Sequence, residues 1–285
     1  MNTETGGGRP LYRGMDRATL DAAYRAAASI PDVESWRLGW VERSERFRRD
    51  HQGQLNLPYG AAPRAKLDFF PAAKRRAPTV MFMHGGYWYR NSKDNFSFAA
   101  AGPYAHGFNV AVVGYSLAPE ARMDQIVREI GEAATWLAAN LARLGGDPGS
   151  LFAMGWSAGG HLVAMNIAHP AIKGGVSVSG IYDLEPMRLG ELNAELHLDE
   201  AEARRNSPLL HIPTRAPHLV VGVGGAELPE FRRQASEFFA AWQGRGLPGT
   251  FIELPNCHHY LALEEVAKPD GLATAALRRL AFDRA

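Results

Sequence analysis

MGWSAGGHLVAM, residues 154–165, sets one serine, Ser157, between Gly155 and Gly159 at a change of texture. The residues before it, SLFAMGW (150–156), are apolar in succession, as expected of a strand buried on both faces. Those after it, GGHLVAMNIAH (159–169), carry apolar residues at helical spacing. In the pattern Gly-x-Ser-x-Gly at a strand-to-helix turn, the serine sits on a sharp, strained backbone with its hydroxyl raised above the sheet edge. The helix start there also offers unpaired N–H groups to developing negative charge. The pentapeptide alone occurs by chance, and a serine can simply cap a helix. Its place between strand and helix is what marks Ser157 as a nucleophile.

Working outward, the same texture repeats. KLDFF (66–70), TVMFMHGG (79–86), NVAVVGYS (109–116), GGVSVSG (174–180), HLVVGVGG (218–225) and TFIELPN (250–256) are short apolar or β-branched runs ending in turn residues or aromatics. Helical patterns lie between them. The clearest puts Ile126, Ile130, Ala133, Leu137, Leu141 and Leu144 on one stripe, stopped by GGDPG (145–149). Buried strands alternating with helices predict an α/β fold of the α/β-hydrolase kind, with a mostly parallel central sheet covered on both faces. No internal repeat interrupts it, so residues 1–285 read as one domain. Residues 1–10, rich in glycine, are expected to be flexible, and residues 11–60 to form a helical flank or lid. In that flank Leu20, Tyr24 and Ala27 share one face, and Asp32 is expected to cap a second helix burying Val33, Trp36, Trp40 and Phe47.

Composition narrows the function. The formal net charge is +1 and hydrophobic residues make up 46% of the 285, which suits an ordinary globular protein with a small-molecule substrate and no nucleic-acid partner. Short basic runs such as KRR (74–76) read as solvated faces. No apolar run is long enough to span a bilayer, and no secretory leader is evident, so no membrane partner is expected. The one cysteine, Cys257, excludes an intramolecular disulfide, and a cytoplasmic monomer or homodimer is expected.

A serine that attacks a carbonyl needs donors for the oxygen that becomes negative, and a base. HGGYW (84–88) closes the second of these strands, and its glycines can turn N–H groups toward a substrate. Gly85 or Gly86, with the Ala158 N–H after the nucleophile, make the expected oxyanion hole, and His84 is expected to tie that loop down. The base should follow late in the chain. LPNCHHYLAL (254–263) offers His258 and His259, which diverge and cannot both serve; spacing alone does not choose between them. Adjacent residues rarely converge on one ion, so a zinc site at Cys257 is not expected, nor any other metal or cofactor. The glycines of VGVGGAE (221–227) come too late and lack the spacing of a dinucleotide loop. The acid should lie between serine and histidine. Glu227, in AELPEF (226–231), is ranked first, with Asp183 and Glu230 as competitors. Tyr87, Trp88 and Tyr260 are the candidate substrate-binding aromatics.

With these residues in place, the chain resembles the arylformamidases, or kynurenine formamidases, within the hormone-sensitive-lipase and carboxylesterase group of α/β-hydrolases. The likeness runs through LYRGMDRATLDAAY (11–24), HGGYW with SKDNFSF (92–98), VVGYSLAPEARMDQIVREI (112–130), GWSAGGHL (155–162), SGIYDLEP (179–186), NSPL (206–209) and LPEFRRQASEF (228–238). It implies Ser157 as nucleophile, oxyanion donors at Gly85, Gly86 and Ala158, and, because an aromatic follows the family's histidine, His259 before Tyr260 as base. The family's acid is usually an aspartate a few residues before PEF; here that place holds Glu227. Resemblance implies hydrolysis of N-formyl-L-kynurenine or a similar aryl formamide, or of short-chain esters and amides. A non-catalytic ligand-binding member of the fold is the contrasting reading, and the presence of both serine and histidine argues against it.

Overall fold

The computed structural model describes residues 10–283, so the expected flexibility of residues 1–10 concerns a segment that, apart from Pro10, lies outside the described residues. Eight strands run β1 (Gln54–Pro58), β2 (Lys66–Phe70), β3 (Ala77–Met83), β4 (Asn109–Val113), β5 (Gly146–Trp156), β6 (Ile172–Val178), β7 (Leu219–Gly224) and β8 (Gly249–Leu254). They form one sheet in the order β1-β2-β4-β3-β5-β6-β7-β8. The first two strands pair antiparallel and the remaining six run parallel. The helices are α1 (Arg17–Ala23), α2 (Val33–Asp50), α3 (Ala101–Ala105), α4 (Met123–Leu144), α5 (Ala158–Asn166), α6 (Glu185–Leu189), α7 (Asn193–Leu196), α8 (Glu200–Arg205), α9 (Pro229–Gly244), α10 (His259–Ala267) and α11 (Leu272–Phe282).

Two apolar layers flank the sheet. One packs α4, α5 and α9 against Met81, Val113, Leu151 and Val221; the other packs α2, α10 and α11 against Val80, Val112, Phe152 and Val220. Successive residues of β3 thus face opposite layers and both faces are covered, which is why the strands read as unbroken apolar runs. The predicted stripe of α4 is buried along its whole length. Each of its leucines and isoleucines contributes about 1.5–3 kcal/mol of transfer free energy. The helix stops at Gly145, whose left-handed φ of 89° suits glycine.

Two expectations need correction. The 11–60 flank is not purely helical, because QLNLP (54–58) forms β1, an exposed edge strand paired to β2. Asp32 precedes α2 but does not cap it: its own φ is 52° and its side chain makes no capping bond. The capping aspartate in this region is Asp16, which accepts from the Thr19 N–H at 2.9 Å to start α1.

Register places the chemistry. Met83 of β3 pairs with Gly155 of β5, and Trp156 of β5 with Val178 of β6. The loops that leave these strands, carrying His84–Gly86, Ser157 and Ser179, therefore emerge side by side at the carboxyl edge of the sheet, where parallel sheets bind ligands.

Candidate active site

Ser157 holds φ 58° and ψ −121°, a conformation a side chain rarely adopts. The turn is locked from both sides. The Ser157 N–H donates to the Val178 carbonyl at 2.8 Å, and the Ser157 carbonyl accepts from the His161 N–H at 3.1 Å. The flanking glycines are steric requirements: a Cβ on Gly155 would come within 2.2 Å of the Gly159 carbonyl oxygen, and one on Gly159 within 2.0 Å of the Met83 oxygen.

The hydroxyl meets a histidine. His259 Nε2 lies 3.0 Å from Ser157 Oγ, and His259 Nδ1 lies 2.7 Å from Glu227 Oε2. A carboxylate can only accept, so Nδ1 carries the proton and Nε2 is left to accept from the serine hydroxyl. The other Glu227 oxygen accepts from the Gly224 N–H at 2.9 Å and from the Ser179 hydroxyl. Both His259 and Glu227 are buried. The imidazole is wedged between Trp156 and Phe231, ring centroids 4.8 and 4.7 Å away, and the Trp156 indole N–H donates to the His259 carbonyl at 3.0 Å.

The competing residues are occupied elsewhere. His258 is the N-cap of α10, its Nδ1 accepting from the N–H groups of Tyr260 and Leu261. Asp183 accepts from the Tyr12 hydroxyl at 2.7 Å and the Glu185 N–H at 3.0 Å. Glu230 binds the Tyr24 hydroxyl and the Arg233 guanidinium. Of the three candidate carboxylates, Glu227 is the one bonded to His259.

The glycine loop after β3 sits against this group. A Cβ on Gly85 would lie 2.9 Å from Ser157 Cβ, so only a glycine lets the backbone pass this close to Ser157. His84 Nδ1 and Asn91 Nδ2 both donate to the Gly85 carbonyl, at 2.8 and 3.0 Å. In a trans peptide the following N–H points the opposite way, so these bonds turn the Gly86 N–H outward. Gly86 has φ 125°, and a Cβ there would meet the Arg90 oxygen at 2.5 Å. Among the described residues, neither the Gly86 nor the Ala158 N–H has a protein acceptor. His84 is fully buried beneath the loop, stacked on Tyr115, and burial lowers its pKa to about 4, so it stays neutral.

A cleft of about 240 Å³ opens over Ser157 and His259, with Arg37, Trp40, Tyr87 and Tyr260 in its walls. Of the three aromatics named from the sequence, Tyr87 and Tyr260 are in the cleft wall. Trp88 is not: it is fully buried, and its indole N–H donates to His161 Nδ1 at 3.1 Å. Sequence reading missed Ser179, whose φ of 52° aims its hydroxyl at Glu227; α2, part of the expected flank or lid, puts Arg37 and Trp40 in the cleft wall, which the sequence reading did not name. A serine before glycine at a strand end was the available signal for Ser179; nothing in the periodicity of α2 showed which element its face would meet.

Set beside known proteins, the BD-FAE family profile matches residues 67–173, the span from β2 to the start of β6. The kynurenine formamidase of Danio rerio is 32% identical over 252 residues, covering 83% of this chain and 85% of the fish protein. That of Salmo salar is 34% identical over 256 residues, covering 84% and 85%. Among solved structures, a protein of Silicibacter sp. TM1040 provisionally described as a thioesterase superposes with a TM-score of 0.83 at 32% identity, covering 90% of this chain and 98% of its own.

Proposed function

The chain belongs to the kynurenine formamidase family of α/β-hydrolases, and from that premise we propose that it hydrolyses an aryl formamide of the N-formyl-L-kynurenine type through a Ser157–His259–Glu227 triad. The observation that carries this reading is the unbroken chain from Ser157 Oγ through His259 to Glu227, at 3.0 and 2.7 Å. Ser157 Oγ attacks the formyl carbon while His259 Nε2 takes its proton. The oxygen turns negative against the N–H groups of Ala158 and of Gly85 or Gly86. The C–N bond then breaks, the proton passes from His259 to the leaving aryl nitrogen, and a formyl ester remains on Ser157. Water, deprotonated by the same histidine, releases formate and restores the serine. Glu227 keeps the imidazole in the tautomer that accepts from serine and stabilises its cation.

The same groups would cleave short-chain esters, and the Silicibacter likeness keeps that second reading open. Turnover of N-formyl-L-kynurenine beside para-nitrophenyl acetate and butyrate, with Ser157→Ala as the blank, separates the two. Formyl hydrolysis well above ester hydrolysis, lost in the blank, is expected. Fast ester cleavage with negligible formyl turnover would keep the triad and defeat the formamidase reading. Among the described residues no helix is long and apolar enough to cross a membrane, and the lone Cys257 suits work in the reducing cytoplasm.

A further inference from the structure

We propose that Arg37 and Arg90 form a carboxylate-binding rim to the catalytic cleft, so that the preferred substrates carry an anion on an aromatic leaving group. The inference deepens the formamidase reading and rests on its use of Ser157 as nucleophile.

The side chains that line the cleft include two arginines and no carboxylate. Most arginines of the neighbouring flank are already paired, Arg13 with Glu237, Arg17 with Asp21 and Arg25 with Glu191. Arg90 differs: among the described residues no carboxylate lies within ion-pair distance, and its guanidinium rests over the Tyr89 ring, 4.6 Å from the centroid. Arg37 has only Glu34, 3.8 Å away with both groups exposed, a contact worth little.

Both arginines are held by elements that touch the catalytic groups. The Arg90 N–H donates to the Gly86 carbonyl at 3.0 Å, which fixes its backbone one turn from the oxyanion loop. Arg37 lies three residues before Trp40 on the same face of α2, and Trp40 packs on Tyr260 and Trp156 at 4.6 and 5.7 Å. A second cavity of about 290 Å³ adjoins the cleft and shares Arg90 and Tyr87 with it. Its two carboxylates, Asp21 and Glu191, are already engaged, Asp21 by Arg17 and by the Glu191 N–H, and Glu191 by Arg25. An aromatic-walled cleft whose two guanidinium forks have, among the described residues, no close carboxylate partner fits a planar ring bearing a carboxylate, which arginine recognises in bidentate fashion.

The test uses substrate pairs that differ only by a ring carboxylate: formanilide with meta-formamidobenzoate, and para-nitrophenyl acetate with its ring-carboxylated analogue. At low salt the wild-type kcat/KM for the charged member should exceed that for the neutral one by about tenfold or more. The ratio should fall toward unity in Arg37→Gln/Arg90→Gln, mainly through KM, and be partly kept in Arg90→Lys. A wild-type ratio near one in both pairs, or a ratio that the double variant leaves unchanged, overturns the proposal. Formamide turnover without a charge preference would defeat the rim and leave the formamidase reading standing. Charge preference in the ester pair with no formamide turnover would do the reverse.

Discussion

Glu227 is one methylene longer than an aspartate, and the loop around it accommodates that length. One carboxylate oxygen reaches His259, while the other is held by the Gly224 N–H and the Ser179 hydroxyl. Ser179 adopts φ 52° to do so, one residue after the Val178 carbonyl that fixes the Ser157 turn. A buried hydrogen bond to a charged group is worth about 1.5–3 kcal/mol. Ser179→Ala should therefore lower kcat about 10- to 100-fold with little change in KM, and Glu227→Gln should cost about a thousandfold or more. Steady-state kinetics on para-nitrophenyl acetate, with circular dichroism as a folding control, reads this out; a Ser179→Ala kcat within twofold of wild type would contradict it. At this scale Ser157 and Glu227 were legible because each stands in a motif at a strand end. His258 and His259 were not separable from spacing, since what divides them is that one caps α10 and the other turns inward. Ser179 was invisible because its role depends on a left-handed backbone angle.

Elements buried on both sides announced themselves. β3, β4 and β7 have almost every side chain covered, so their runs of Val, Met and Phe carry the strand signal without alternation. β1 gave no such signal: QLNLP is nearly all exposed, kinked where Asn56 takes φ 57°, and held by its pairing with β2 rather than by burial. The HGGYW turn shows another limit. Tyr87 and Trp88 both take left-handed angles, φ 49° and 59°, so the chain folds back and sends the Trp88 ring into the core toward His161 while Tyr87 stays at the cleft. Aromatic identity pointed to the site for both; the direction of each ring was set by the turn. For α2 the apolar face was readable, but its docking of Trp40 on Trp156 and Tyr260 is a tertiary event that local sequence does not encode.

The fold as a whole pays for two buried histidines with acid sensitivity. His84 lies under the Gly85–Gly86 loop, and His161 accepts from the Trp88 indole while donating to the Asn206 carbonyl. Burial lowers both pKa values to about 4. The unfolded chain takes up protons on these groups as pH falls through about 6.5, whereas the folded chain refuses them until about 4. Stability is therefore full above that window and is lost through it on acidification, by up to about 1.4 kcal/mol per pH unit for each histidine. The urea midpoint should drop between pH 7 and pH 5, and a midpoint that stays level or rises would contradict this. The proposed function places the chemistry on one hydroxyl, that of Ser157. Treatment with a fluorophosphonate, followed by peptide mass mapping, tests that claim most directly. The adduct should fall on the peptide carrying Ser157 and vanish in Ser157→Ala; labelling of the variant as strong as that of the wild type, or an adduct on another serine, would contradict it.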